Sequence, residues 1–270
     1  MKFDSNRAWL DAVAAVSANR QVLLPVAGVF FLLPTLLSTV FLADTQAQIM
    51  AAFGKPEVLE RIMADNLGLL LGFGIGGGLV QGIGYLAVMA LLAGRGRPTV
   101  GEAIMVALRA LPTLVIVFLL TMTGMFMVSL LLVALVASVI GLLAGSGLAS
   151  VIAAVVTVVL VVYVSVKLSL VVPVVIGEGM GNPVEAIYRS WRLTRRNSMR
   201  LLGFFTLLTI GYVVIAFVAT LAVIGPVALL AGDGKVLTLA SGIVSGATGA
   251  VASVVMVAVL GQVHRQLAGE

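Results

Sequence analysis

The sequence contains no cysteine and a single histidine, His264. Without thiols there is no disulfide, iron–sulfur cluster or thiolate nucleophile, and one histidine cannot build a zinc or di-iron site by itself. No cofactor or metal is expected. Charge is also scarce: only 10% of the 270 residues carry it, whereas a soluble domain needs about 25% to cover its surface.

What fills the chain instead is apolar, 61% of it, with a mean hydropathy of +1.21. That composition predicts an all-α polytopic membrane protein, and its length divides into spans of roughly 20 residues. Apolar runs cover 21–43, 67–93, 111–143, 148–176, 201–231 and 236–262, which predicts six transmembrane helices. Outer-membrane strands are excluded because they alternate apolar and polar residues over about ten positions, while these runs are continuous. The first run is expected to be a retained helix. It exceeds a signal-peptide core, contains Pro25 and Pro34, and follows a polar start of twenty residues.

Basic residues collect on the cytoplasmic side of membrane proteins. With six spans both termini share a side with 94–110 and 177–200. That side holds Lys2, Arg7, Arg20, Arg95, Arg97, Arg109, Arg189, Arg192, Arg195, Arg196, Arg200 and Arg265. The other side holds Lys55, Arg61 and Lys235. Both termini are therefore predicted to be cytoplasmic, in a multi-pass protein of the inner membrane. The sequence pI near 10 reads as orientation, and nucleic acid is not an expected partner.

Each pair of spans follows a polar stretch with helical apolar spacing. Glu-Ala-Ile recurs at 102–104 and 185–187, and Asn19 with Leu23 and Leu24 falls where Asn197 with Leu201 and Leu202 falls. The chain is thus expected to be one transmembrane domain, 1–270, with internal repeats 3–93, 97–176 and 182–263. Each repeat would be a transmembrane hairpin preceded by a cytoplasmic amphipathic interfacial helix.

Treated as one helix, 182–202 places Arg189, Arg192, Arg196 and Arg200 on one stripe, with Ile187, Trp191, Thr194 and Leu201 opposite. Arg195 adds a further charge, and Glu185 precedes Arg189 by the four residues that favour a helix ion pair. Trp9 and Trp191, the only tryptophans, both fall in these segments, as interfacial aromatics do. Two readings stand: topology with interfacial anchoring, or recognition of anionic lipid headgroups.

Small residues mark helix packing. Gly68, Gly72 and Gly76 form one four-residue ladder in the second span, and Gly74, Gly78 and Gly82 form another. Gly242 and Gly246 repeat the device in the last. Such ladders let helices approach closely within the bundle, or at a homo-oligomer contact. The glycines at 72, 74 and 77 also match G-x-G-x-x-G, but no strand precedes them and no ribose-binding acid follows. Lys167 is the one formal charge inside a long apolar run. It is expected to snorkel or bond a carbonyl near the cytoplasmic interface, and Pro173 is expected to bend the helix beyond it.

The stretch 167–202 resembles the membrane domain of the glycerophosphoryl diester phosphodiesterase family and related bacterial inner-membrane proteins of unknown function. The matching positions are Lys167, Pro173, Glu178, Ala186, Ser190, Trp191, Leu193, Thr194 and Arg195. They span under a sixth of the chain. The sequence departs at Lys167, where arginine is usual, and at Arg196, where glycine is common. In the fused enzymes the chemistry belongs to a separate barrel that opens with His-Arg-Gly, whereas His264-Arg265 is followed here by Gln266. The resemblance therefore implies no hydrolase in this chain.

The expected function is a non-enzymatic integral membrane protein, lipid-associated or scaffolding at the cytoplasmic leaflet. Its partners would be membrane lipids with anionic headgroups, and a partner membrane protein or a second copy. One alternative is a transporter or lipid-translocating channel, resting on Lys167, Pro173 and the glycine-rich second span. Another is an ABC-type permease subunit, suggested by the coupling-helix look of Glu102-Ala103.

Overall fold

The fold is that of a computed structural model describing residues 3–93, 98–144, 146–230 and 234–269; the basic residues Lys2, Arg95 and Arg97 lie outside them. The described residues form helices and no strand. Six stretches are long and apolar enough to cross a membrane: Arg20–Phe41, Leu67–Ala93, Val100–Ser138, Gly147–Gly177, Ser198–Leu230 and Gly234–Ala268.

Helix α1 (Ser5–Ala18) precedes the first span, which is built from α2 (Arg20–Ala27), a widened π turn Gly28–Leu32 and α3 (Leu33–Phe41). The widened turn closes with Leu33 N donating to Gly28 O, one residue before Pro34, which has no N–H to continue the ladder. Two short helices, α4 (Ala43–Ala51) and α5 (Pro56–Asp65), lead to the second span: α6 (Leu67–Leu71), a π turn Gly72–Gly76 and α7 (Gly77–Ala93). The third is a single helix, α8 (Val100–Ala144). The fourth comprises α9 (Ser146–Leu168) and α10 (Val171–Gly177). Pro173 cannot donate to Ser169 O and crowds it, so the helix breaks at Ser169–Leu170. After α11 (Pro183–Thr194) come α12 (Ser198–Leu230) and α13 (Gly234–Ala268).

The segments preceding each pair of spans share a register. Asp4 caps α1 by accepting from Arg7 N at 3.1 Å. Thr99 caps α8, its Oγ1 accepting from Glu102 N while Glu102 Oε2 accepts from Thr99 N at 2.7 Å. Asn182 caps α11, accepting from Val184 N at 3.0 Å. Four residues after each cap lies a fully buried alanine, Ala8, Ala103 or Ala186. Four residues later another small residue is fully buried: Ala12, Ala107 or Ser190. The caps satisfy the orphan N–H groups of the first turn, and small side chains four apart let each segment lie close on a neighbour. Glu102 thus acts as a capping-box carboxylate. The second segment is not a separate helix, because α8 runs on through Pro112 into the membrane span.

The register extends to packing. The start of α8 packs on α7, α11 on α9 and α10, and α1 on α13, so each segment covers the end of the span before it and the first closes on the last. At this end α7, α10 and α13 all touch one another. Further along, α12 and the long stretches of α8 and α9 expose apolar side chains, as helices facing hydrocarbon do.

Close approaches occur where glycine permits them. A Cβ added at Gly84 would lie 2.4 Å from Phe30 Cβ, at Gly242 2.8 Å from Leu36 Cδ1, and at Gly246 3.1 Å from Leu32 O. The first span therefore sits in notches cut into α7 and α13. The ladders of the second span behave differently. Gly68, Gly72, Gly74, Gly76 and Gly78 have nothing within 4 Å of an added Cβ, and Gly82 meets only Leu111 at 3.7 Å. Close packing of that span is a property of Gly84, outside both ladders.

Candidate functional site

The break at Ser169–Leu170 leaves Lys167 in the last turn of α9, where carbonyls lack intrahelical donors. Ser190 Oγ donates to Lys167 O at 2.7 Å and so ties α11 to the broken span. The Lys167 side chain is only 2% exposed. Its Nζ donates to Ser198 Oγ at 2.8 Å, and that hydroxyl donates to Thr194 O at 2.8 Å. The ammonium also stands 5.4 Å from the Tyr163 ring centre and 5.3 Å from that of Trp191. A cation over aromatic faces is stabilised by the ring quadrupoles. Lys167 is enclosed by protein, with α11 as its lid.

The second cluster begins where α10 ends. Gly179, at φ +67°, adopts the left-handed conformation that lets the chain reverse. Thr113 Oγ1 donates to Gly181 O at 3.0 Å and fixes the loop to α8. The reversal points Glu178 at two partners. Arg189 Nε donates to its carboxylate oxygens at 3.1 and 2.9 Å. His264 Nε2, from α13, lies 2.9 Å from Oε1. An ionised carboxylate only accepts, so that Nε2 carries the proton. Burial pushes the Glu178 carboxyl up, but the hydrogen bonds and charges of Arg189 and His264 outweigh it and hold the group below its ordinary range.

These contacts revise the arginine stripe. The helix ends at Thr194, and a turn covers Arg195–Asn197 before α12 begins. Arg189 and Arg192 therefore lie on α11, Arg195 and Arg196 on the turn, and Arg200 on α12. Arg189 points inward to Glu178, and no Glu185–Arg189 ion pair forms among the described residues. The nearer glutamate lies on the exposed side, whereas Glu178 is brought up from the preceding helix. Arg192, Arg195, Arg196 and Arg200 are exposed. The buried stripe of α11 is Ala186, Ser190 and Thr194, with Leu193 partly buried beside it. Trp191 stacks edge-on against Tyr163 at 5.8 Å; Trp9, on α1, is exposed and takes no part.

Most positions of the 167–202 pattern thus meet at one end of the bundle. Lys167, Ser190, Trp191 and Thr194 form one cluster, Glu178 anchors the other, and buried Pro173 lies in α10 between them. Three further participants are Tyr163, Ser198 and His264. Tyr163 precedes Lys167 by four residues on α9, a spacing that places helix side chains on one face, whereas Ser198 is brought up by the turn between α11 and α12. His264 lies 86 residues from Glu178, and no local pattern connects them. Asn197, in the α11–α12 turn, accepts from Phe3 N at 3.2 Å, and Gln266 accepts from Asp4 N at 3.2 Å, so the N-terminus clasps the same end.

Beside these clusters lies a cavity of about 510 Å3. The ends of α7, α10 and α13 enclose it, with Ala15 of α1 and the start of α8 completing the wall. The described residues contain no group of three or more His, Cys, Asp or Glu side chains placed to hold a metal. No protein-family model, curated protein or solved structure matches this chain.

Proposed function

We propose that this chain is a non-enzymatic integral membrane protein that associates with lipid, or positions a partner, at the leaflet on its basic side. We read that side as the cytoplasmic face of the inner membrane, with both termini on it. The observation that carries the reading is the corner formed by α11 and the start of α12. There Arg192, Arg195, Arg196 and Arg200 are exposed beside the partly exposed Trp191, while Arg189 is already neutralised by Glu178. Basic side chains near an anionic surface contribute about 1 kcal/mol each, so four at one corner supply a substantial attraction. The proposal includes three transmembrane hairpins, each entered through a segment lying at the interface, and kinship with the phosphodiesterase membrane domains.

The test is lipid selectivity of the full-length protein. Purified from mixed bilayers, the parent should retain phosphatidylglycerol over phosphatidylcholine, with the preference falling as salt rises. A variant with glutamine at all four exposed arginines should lose it. Equal retention of both lipids by the parent would end the headgroup reading. A transport role is the rival, favoured by the enclosed Lys167 and the break ahead of Pro173; reconstituted flux that stops in Lys167→Met would favour it.

A further inference from the structure

We propose that the cavity enclosed by the ends of α7, α10 and α13 binds one phosphate-bearing amphiphile. Its head would lie on Gln262 and Arg265, and its first methylenes against Met89, Leu92 and Ile176. The cavity uses none of the four exposed arginines, so it stands whether or not they contact headgroups.

Its size, about 510 Å3, falls in the range of roughly 300–1,000 Å3 typical of sites for small ligands. So does its character, an apolar wall with a few converging polar groups. Gln262 is 9% exposed, lines the cavity, and makes no hydrogen bond among the described residues. Its carboxamide opens onto the cavity and is held by no other side chain or carbonyl among the described residues, so its N–H groups can donate to a ligand oxygen there. Arg265, one turn on, also lines the cavity. Its Nη2 donates only to Leu92 O at 3.4 Å, and it forms no ion pair among the described residues. The nearby carboxylate, Glu178, is committed to Arg189 and His264. A guanidinium with spare donors beside an unpaired amide suits a phosphate oxygen pair, for which Arg is the better-shaped cation. Ala93 and Val106 line the cavity and are exposed, which gives it a mouth.

Phosphate could come from a lipid or from a free phosphorylated solute, and the apolar wall favours the lipid. The experiment uses the full chain in a neutral detergent, with oleoyl lysophosphatidic acid, monoolein and inorganic phosphate as probes. Native mass spectrometry and the thermal midpoint are read for each. One lysophosphatidate per chain should bind and raise the midpoint, while monoolein and phosphate should each have far less effect. Gln262→Leu is close in size and removes no side-chain hydrogen bond to the protein among the described residues, so it should fold like the parent. It should nevertheless bind lysophosphatidate about tenfold more weakly, as should Arg265→Gln. Ala93→Phe, at the mouth, should also weaken binding. The variant lacking the four exposed arginines should bind like the parent. Equal binding of monoolein, an equal midpoint rise with inorganic phosphate, or undiminished binding by Gln262→Leu would each overturn the assignment.

Discussion

Glu178 holds α11 against the bundle, and replacing it should loosen that end. The carboxylate receives Arg189 Nε at 3.1 and 2.9 Å and faces His264 Nε2 at 2.9 Å. A hydrogen bond to a charged group contributes about 1.5–3 kcal/mol. The Arg189 and Glu178 side chains are 27% and 19% exposed, which places each interaction toward the lower end. Losing both in Glu178→Ala should therefore cost about 2–4 kcal/mol. Glu178→Gln keeps one acceptor, turns its amide N–H toward the other donor, and should cost about half as much. Thermal unfolding in detergent measures this. In a Trp9→Phe background Trp191 is the only tryptophan, and its edge-on contact with Tyr163 at 5.8 Å makes its fluorescence a local reporter.

The pH dependence has a definite sign. The folded carboxyl sits below its ordinary value of 4.5, so its stabilising contribution is complete above that value and is lost as pH falls through the folded one. On acidification below 4.5 the midpoint of the parent should drop more steeply than that of Glu178→Gln. Unfolding of both Glu178 variants like the parent, or additive effects of Glu178→Gln and His264→Gln, would show that Glu178 does not hold α11 in place, since neighbours in one network should couple.

Two further predictions concern packing. Gly84→Ala should destabilise by about 1–3 kcal/mol in a detergent melt, because a Cβ 2.4 Å from Phe30 Cβ forces the first and second spans apart. Gly74→Ala, with nothing within 4 Å, should melt like the parent, and equal melts for the two would show that the spans do not meet at Gly84. Lys167→Met should remain helical by circular dichroism and unfold within about 1 kcal/mol of the parent. It gives up the aromatic contacts and the Ser198 bond but also relieves the desolvation of an ammonium enclosed without a carboxylate. Outright unfolding would mean the cation is indispensable to the lid.

The sequence by itself determined the all-helical class and the six apolar stretches long enough to cross a membrane. These are local properties: transfer of each side chain to hydrocarbon and the continuity of each apolar run are independent of distant residues. Local spacing likewise placed the Glu185-Ala186-Ile187 helix after Asn182 and the disruption around Pro173. Tertiary structure decided the pairing. Arg189 takes Glu178, eleven residues back, over Glu185 at helix spacing, because a glycine reversal and the burial of Ala186 and Ser190 turn that face inward. The glycine notch in the second span falls at Gly84, where the widened turn of the first span presents Phe30, and the longer ladders lie open. The cavity exists only where α7, α10 and α13 end side by side, bringing Gln262 and Arg265 beside Met89 and Ile176. No periodicity along the chain encodes that meeting, since it depends on how three distant helices pack.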